Sequence, residues 1–191
     1  LFHNFIISKS PIIHECVTMK DFEMPMDLKA ALARGVEIES IAGRVFSHFQ
    51  QCFAHDRGAS SVFEKMSKEE GEHATVIQRQ LDLIATMPEA FMAIDDAIRD
   101  RQQVLIARMH KILQEVAEYP PSLEKAVEIC CELEKEIEDV HEQAITNLIQ
   151  TTGKLAFATV ALEAISFQDD HTEGLFDLAR KLGVMRPRVE N

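Results

Sequence analysis

Residues that interrupt helices are scarce in this chain. Its 191 residues include only seven glycines and six prolines, and its apolar-periodic segments run for long stretches without them. Strict alternation of apolar and polar residues, which is typical of half-buried strands, is also rare. These shortages exclude an architecture built mainly of β-sheet, and the sequence predicts an all-α protein.

Cysteine is scarce as well. None of the four cysteines belongs to a Cys-x-x-Cys pair, and the adjacent Cys130 and Cys131 would point in different directions on a helix. The pattern therefore excludes a zinc knuckle and a disulfide framework. A reducing compartment is the simpler interpretation, and we expect the protein to be cytoplasmic.

Positive charge is in short supply. The chain has 20 lysines and arginines against 32 acidic residues, which gives a formal net charge of −12. Most of its surface would repel phosphate backbones and anionic lipid headgroups, so we expect neither nucleic acid nor a membrane as a partner. Cations, in contrast, would be attracted.

Long hydrophobic runs are also missing. The apolar opening, residues 1–14, is broken by polar residues, is too short to span a bilayer and has no cleavage-site pattern, so we expect no targeting segment. The 46% hydrophobic content suits one sizeable core. We expect an N-terminal extension over residues 1–26, one helical domain over residues 27–183 and a tail over residues 184–191. The predicted helices cover residues 27–55, 61–87, 89–119, 122–153 and 154–182.

The second predicted helix, which a capping box should start at Ser61, carries polar residues where core residues belong. Its apolar stripe, which includes Phe63 and Ile77, is interrupted by Glu70 and His73 on the same face. Positions three apart lie one above the other on a helix, so both side chains can reach one point in a helical core. A shared metal ion requires such convergence, and this Glu-x-x-His motif is therefore a candidate metal site.

The other predicted helices supply candidate partners. Glu39 lies beside the apolar stripe of the first helix and can turn inward, and Glu134 and Glu138 border the stripe of the fourth. His171 is in phase with the stripe of the fifth helix, one turn after Gln168. The two halves of the chain therefore repeat one order, a glutamate-bearing helix followed by a helix that carries a histidine.

This arrangement resembles the rubrerythrin and wider ferritin-like group over residues 28–182. The segment from Glu39 to Phe46 is similar to the group's glutamate with an aromatic residue seven positions on, and Glu70-Gly-Glu-His73-Ala is similar to its Glu-x-x-His-Ala box. The resemblance implies an up-down four-helix bundle. The helix predicted over residues 89–119 would be an extra helix in the crossover between the second and third bundle helices.

The resemblance also implies a metal centre of two iron ions, or of one iron with a weak second site, and manganese or zinc are alternatives. Gln168 departs from the group's pattern, which has a carboxylate there, while Phe46 and His141 stand where tyrosines are common. A second register stays open, in which Glu138 and His141 pair with Glu163. The residues that the two registers nominate as metal ligands are Glu39, Glu70, His73, Glu134, His171, Gln168 and Glu138.

A centre of this kind implies an oxidoreductase that acts on peroxide, dioxygen or ferrous iron. The chain has no cysteine pairs for an iron–sulfur centre and no Gly-rich nucleotide loop, so electrons would come from a separate donor protein. Members of the group are commonly homodimers. Two other functions stay open: a metal-poor helical bundle that serves as an interaction or stress-related scaffold, and a di-metal hydroxylase of an organic substrate.

Overall fold

The computed structural model describes residues 26–85, 93–152 and 172–184. Within these ranges the protein is all-α, as predicted, apart from a two-residue antiparallel pairing of β1 (Met26–Asp27) with β2 (Ala93–Ile94). The predicted N-terminal extension up to residue 25 and the tail from residue 185 lie outside the described residues. The helices are α1 (Leu28–Cys52), α2 (Arg57–Ala85), α3 (Asp96–Glu118), α4 (Leu123–Thr152) and α5 (Thr172–Lys181).

The turn between α1 and α2 is short, and the side chain of Asp56 at its end caps the first turn of α2. Its Oδ1 atom accepts hydrogen bonds from the backbone N–H groups of Gly58, at 2.9 Å, and Ala59, at 3.1 Å. A side chain that bonds the second and third N–H groups of a helix is an N-cap. The predicted cap at Ser61 is therefore wrong: α2 begins about one turn earlier, and Ser61 lies inside it.

Polar caps and prolines also set the ends of α3 and the start of α4. Asp95 caps α3 by accepting a hydrogen bond from the backbone N–H of Ala97 at 2.9 Å, so the helix begins later than the predicted residue 89. Two prolines follow its end, where they cannot continue a helix. Ser122 then precedes α4, as predicted, and its Oγ atom accepts from the backbone N–H of Lys125 at 3.3 Å.

Helix α1 is the centre of the packing. It lies most extensively against α2 and also contacts α3 and α4, while α5 packs against both α2 and α4. Ring contacts join α1 to α2, since the centroids of Phe49 and Phe63 are 5.6 Å apart. No helix in the described ranges combines the length and the hydropathy needed to cross a membrane. The largest fully buried apolar side chains are Phe46, Phe49, Phe63, Ile38, Met66, Met109, Leu133, Ile137 and Leu175.

Candidate metal centre

Charged residues lie inside this apolar core. Glu39, Glu70, His73 and Glu134 are only 2%, 1%, 7% and 4% exposed, respectively. Burying a carboxylate is costly unless its charge is compensated, so acidic residues rarely lie so deep without a partner. The three buried glutamates lie on three different helices. They therefore mark a site where the negative charge must be compensated.

Glu39 on α1 and the pair Glu70 and His73 on α2 form a compact group of potential ligands. One donor atom from each residue lies within 4.8 Å of the other two. Nδ1 of His73 is 3.5 Å from Oε2 of Glu70 and 3.9 Å from Oε2 of Glu39. Metal–ligand bonds of about 2.0 to 2.2 Å place the ligand atoms of one ion roughly 3 to 4 Å apart. This buried group could therefore hold a metal ion.

Two glycines flank Glu39, one helical turn away on either side. A Cβ atom at Gly43 would lie 3.3 Å from Cβ of Glu70 and 3.3 Å from the backbone oxygen of Ser67. Ser67 uses the same closeness to donate a hydrogen bond from Oγ to the carbonyl of Gly43 at 2.9 Å. At Gly35, a Cβ atom would lie 3.7 Å from the ring of His141. The absent side chain at Gly43 therefore admits α2, whereas the ring of His141 lies at ordinary contact distance from Gly35.

Helix α4 brings two further residues to the cluster. Glu134 lies close enough to Glu70 to affect its ionisation. Nε2 of His141 lies 2.7 Å from Oε1 of Glu39, and the His141 side chain is 14% exposed. The two oxygens of Glu39 therefore face two different imidazoles, Oε1 toward His141 and Oε2 toward His73.

The two carboxyl groups of Glu39 and Glu70 titrate as a coupled pair. Burial raises the pKa of Glu70 well above its ordinary value of 4.5, and the hydrogen bond and charge repulsion from Glu39 raise it further, followed by repulsion from Glu134. Burial acts in the same direction on Glu39, but its interactions with Glu70, His141 and His73 together outweigh that effect and hold its pKa far below 4.5. A proton that the pair retains is therefore favoured on Glu70 over Glu39.

The Oε2 atom of Glu39 is a buried acceptor without an ordinary hydrogen-bond donor in the described part of the chain. It is buried, and no amide, hydroxyl or imidazole donor among the described residues makes a hydrogen bond to it. His73 is too far for one, at 3.9 Å, so the proton shared with Glu70 is the compensation that the chain itself offers. An ionised oxygen directed into a group of donor atoms fits a site for a positive ion.

Three of the seven predicted ligands, Glu39, Glu70 and His73, come together in the structure, and Glu134 lies close enough to Glu70 to affect its ionisation. Glu138, in contrast, is exposed and does not join the cluster. At 3.6 residues per turn it lies about 40° further round α4 than Glu134, past the edge of the buried stripe. The predictions for Gln168 and His171, and for Glu163 in the second register, fall outside the described residues.

His141 is the residue of the site whose partner the sequence did not identify. The resemblance places it where tyrosines are common and the second register pairs it with Glu138, whereas in the structure it contacts Glu39 on another helix. One signal could have indicated this position. Glu134 and His141 are seven residues apart, which is two helical turns, so they share the inward face of α4.

Comparison of the chain with protein-family models, with curated proteins and with solved structures found no match. The resemblance to the rubrerythrin and ferritin-like group therefore rests on the residues and spacings of the chain itself.

Proposed function

We propose that the protein is a non-haem metal-binding protein of ferritin-like type that binds iron or manganese. The observation that carries this proposal is the buried group of Glu39, Glu70 and His73, whose ligand atoms lie within 4.8 Å of one another. These three residues would hold one ion. Glu134 would hold a second, together with His171 and Gln168, which lie outside the described residues.

In this proposal α1, α2, α4 and α5 are the helices of a four-helix bundle. The packing supports it, because α1 contacts α2 and α4, and α5 contacts the same two helices. Each of the four therefore has two neighbours, as in a bundle. Helix α3 packs against α1 and α4, and it serves as the regular part of the crossover between the second and third bundle helices.

The donor set favours these metals. Carboxylates suit manganese, and a mixture of carboxylate and imidazole suits ferrous iron. The three buried glutamates carry at most three negative charges, whereas two divalent ions bring four positive ones, so the second ion binds more weakly. When bound, such ions supply a redox-active, Lewis-acidic centre.

The residues of the chain have separate tasks at this centre. Glu39 offers Oε2, the buried oxygen without an ordinary donor. Glu70 would hold the ion as the second carboxylate, in its deprotonated form. His73 offers Nδ1, which is 3.5 Å from Glu70. The apolar positions around them on α1 and α2 limit the access of water.

We extend the proposal to oxidoreductase chemistry on peroxide, dioxygen or ferrous iron. An external electron donor protein is part of it, because the chain has no Cys-x-x-Cys pair and no Gly-rich nucleotide loop. A homodimer is the oligomeric state that accompanies the family resemblance.

The second candidate function is a metal-free interaction or stress-related scaffold. One observation favours it: the cluster has internal compensation, since His141 lies 2.7 Å from Glu39 and Glu70 carries a proton because burial raises its pKa. A core that satisfies its own charges needs no ion to remain folded.

Elemental analysis decides between the two candidates. Protein purified without added metal, and then dialysed against ferrous or manganous ion under anaerobic conditions, should retain at least one ion per chain. The Glu70→Gln variant should lose it, because the amide keeps the size of the side chain and removes the carboxylate. Glu72→Gln is the matched control, since Glu72 is an exposed residue of the same helix. A wild-type protein that retains no ion, or a Glu70→Gln variant that retains as much as Glu72→Gln, would overturn the metal proposal and favour the scaffold.

A further inference from the structure

The carboxylate of Glu39 is held from both sides. Its Oε2 atom belongs to the side that faces Glu70 and His73, while its Oε1 atom lies 2.7 Å from Nε2 of His141. His141 is not part of the group of ligand atoms that lie within 4.8 Å of one another. The imidazole therefore contacts Glu39 from outside that compact group.

We propose that His141 is a positioning residue that donates a hydrogen bond from Nε2 to Oε1 of Glu39, so that Glu39 binds its metal ion through Oε2. This inference rests on the proposed function, because it assigns a role at the same site. An ionised carboxylate can only accept hydrogen bonds, so at 2.7 Å the proton lies on the nitrogen of His141. Such a hydrogen bond holds Oε1 toward His141, and Oε2 is then the oxygen that faces the ion.

The surroundings of His141 suit this task. The ring lies beside Gly35 on α1, where a Cβ atom would be in ordinary van der Waals contact with Cε1 of His141, at 3.7 Å. Ile77 on α2 lies 3.5 Å from the same Cβ position and limits movement of α1 toward α2. His141 on α4 thus contacts α1, with its Nε2 atom 2.7 Å from Oε1 of Glu39.

In the internal repeat, position 141 corresponds to position 46. His141 follows Glu134 by seven residues, as Phe46 follows Glu39. Phe46 is fully buried, and its hydrocarbon ring has no donor to offer to a carboxylate. The chain therefore supplies an imidazole donor to the glutamate of the first half and no equivalent donor from position 46. This makes the two halves of the centre chemically unequal.

Two variants at position 141 test the inference. His141→Phe places the residue of the repeat there and removes the donor, whereas His141→Gln keeps an N–H donor near the position of Nε2. Partners that orient metal ligands typically change metal affinity by about 10- to 100-fold when they are lost. Titration with manganous ion, followed by electron paramagnetic resonance of the free ion, should show a loss of this size for His141→Phe and an affinity close to wild type for His141→Gln. His110→Gln is the matched control, because His110 is an exposed histidine on α3.

A second measurement separates a positioning residue from a ligand and does not depend on the folding of the Phe variant. Zinc(II) is diamagnetic, so ¹H–¹⁵N spectra of the zinc-loaded protein with ¹⁵N-labelled histidine can show which ring nitrogens keep a proton. We expect His141 to keep a proton on Nε2, and the His141→Gln spectrum identifies its signal. A His141 Nε2 without a proton in the loaded protein would mean that the imidazole itself binds the ion, and this would overturn the inference.

The measured metal affinities can also overturn the proposed role of His141. Equal manganese affinities in wild type and His141→Phe would show that Glu39 needs no such support, while the proposed metal site would stand. A His141→Gln variant as weak as His141→Phe would also contradict the positioning role. A wild-type protein that takes up neither manganese nor zinc would remove the proposed function, and this inference with it.

Discussion

Gly43 on α1 lies so close to Glu70 on α2 that a Cβ atom at position 43 would be 3.3 Å from Cβ of Glu70. The same atom would be 3.3 Å from the backbone oxygen of Ser67, which cannot rotate away. The separation of the two helices at the candidate centre therefore depends on the absence of a side chain at position 43.

Gly43→Ala should accordingly destabilise the protein, although alanine is the better helix former. We expect a loss of about 1 to 3 kcal/mol in the free energy of unfolding, because the added methyl group forces α1 and α2 apart. Gly71→Ala is the control: no atom lies within 4 Å of the position its Cβ would take, so the same substitution should stabilise by about 0.5 to 1 kcal/mol. Urea denaturation measures both. Equal stabilisation by the two substitutions would show that α1 and α2 have room to separate.

Metal binding should release a proton from Glu70. Burial raises the pKa of this carboxyl group well above 4.5, so it is protonated in the metal-free protein, and a ligand must be deprotonated to bind an ion. Below the raised pKa, the affinity for manganous ion should increase by about tenfold per pH unit, and the increase should end once Glu70 ionises on its own. Calorimetric titration in buffers of different ionisation enthalpy counts the protons released. An affinity that does not change with pH would contradict the assignment of the proton to Glu70.

The metal-free protein should lose stability as the pH rises. The folded state holds the Glu70 proton above pH 4.5, where the unfolded chain has released it, so the free energy of unfolding falls by up to about 1.4 kcal/mol per pH unit until the raised pKa is passed. The pKa shift of Glu39 affects the pH dependence of stability in the opposite direction. Its lowered pKa contributes stability that is present above pH 4.5 and is lost as the pH falls through the folded-state value.

Glu70→Gln should flatten the falling part of this profile, because glutamine imitates the protonated acid and cannot ionise. The variant is therefore expected to be more stable than the wild type at pH 8 in the absence of metal, while binding no ion. Thermal unfolding between pH 4 and pH 9, with Glu72→Gln as the control, tests both parts. A profile for Glu70→Gln parallel to that of the wild type would assign the pH dependence to other groups.

Cys131 should report on the charge of Glu134. Burial raises the pKa of the Cys131 thiol to about 11, and repulsion from Glu134 contributes next. At neutral pH the folded protein should therefore alkylate Cys131 slowly, with a rate that rises about tenfold per pH unit toward pH 11. Glu134→Gln should move this profile to lower pH, and so should an ion that neutralises Glu134. Mass spectrometry of iodoacetamide-treated protein follows the reaction, and an unchanged profile in Glu134→Gln would refute the electrostatic contribution.

Any reduction of peroxide should need an added electron donor. The chain offers no cysteine pairs for an iron–sulfur centre and no Gly-rich nucleotide loop, so the reduced, iron-loaded protein should react with peroxide for a single turnover. Stopped-flow absorption measures the amplitude of that turnover. Continuous consumption of peroxide with NADH and no partner protein would contradict this prediction.

Helical phase was enough to predict the centre of the site. Glu70 and His73 interrupt an apolar stripe, and Glu39 borders another, so periodicity alone indicated that all three are buried. Phase did not decide Glu138, because a residue about 40° from Glu134 falls near the edge of the stripe, where small rotations of the helix settle its exposure. The location of such an edge depends on how the helices pack together. This packing cannot be deduced for each position from one sequence.

Local chemistry explains the other differences. Asp56 and Ser61 are both good helix caps, and the structure uses Asp56, whose carboxylate accepts two backbone hydrogen bonds. For His141 the sequence indicated the correct face of α4 and not its partner, since the contact with Glu39 joins residues far apart in the chain. Interactions within one or two turns were thus predictable, whereas the choice between partners on different helices was not.

The three residues of the compact ligand group all belong to the hairpin of α1 and α2, which is continuous in sequence from Leu28 to Ala85. Contacts within a hairpin form without waiting for distant parts of the chain, because the loop that must close is short. Glu39, Glu70 and His73 should therefore assemble early in folding, before α4 and α5 dock. An ion captured at that stage would guide the folding of the rest of the protein, and the hairpin by itself would be the smallest unit able to bind it.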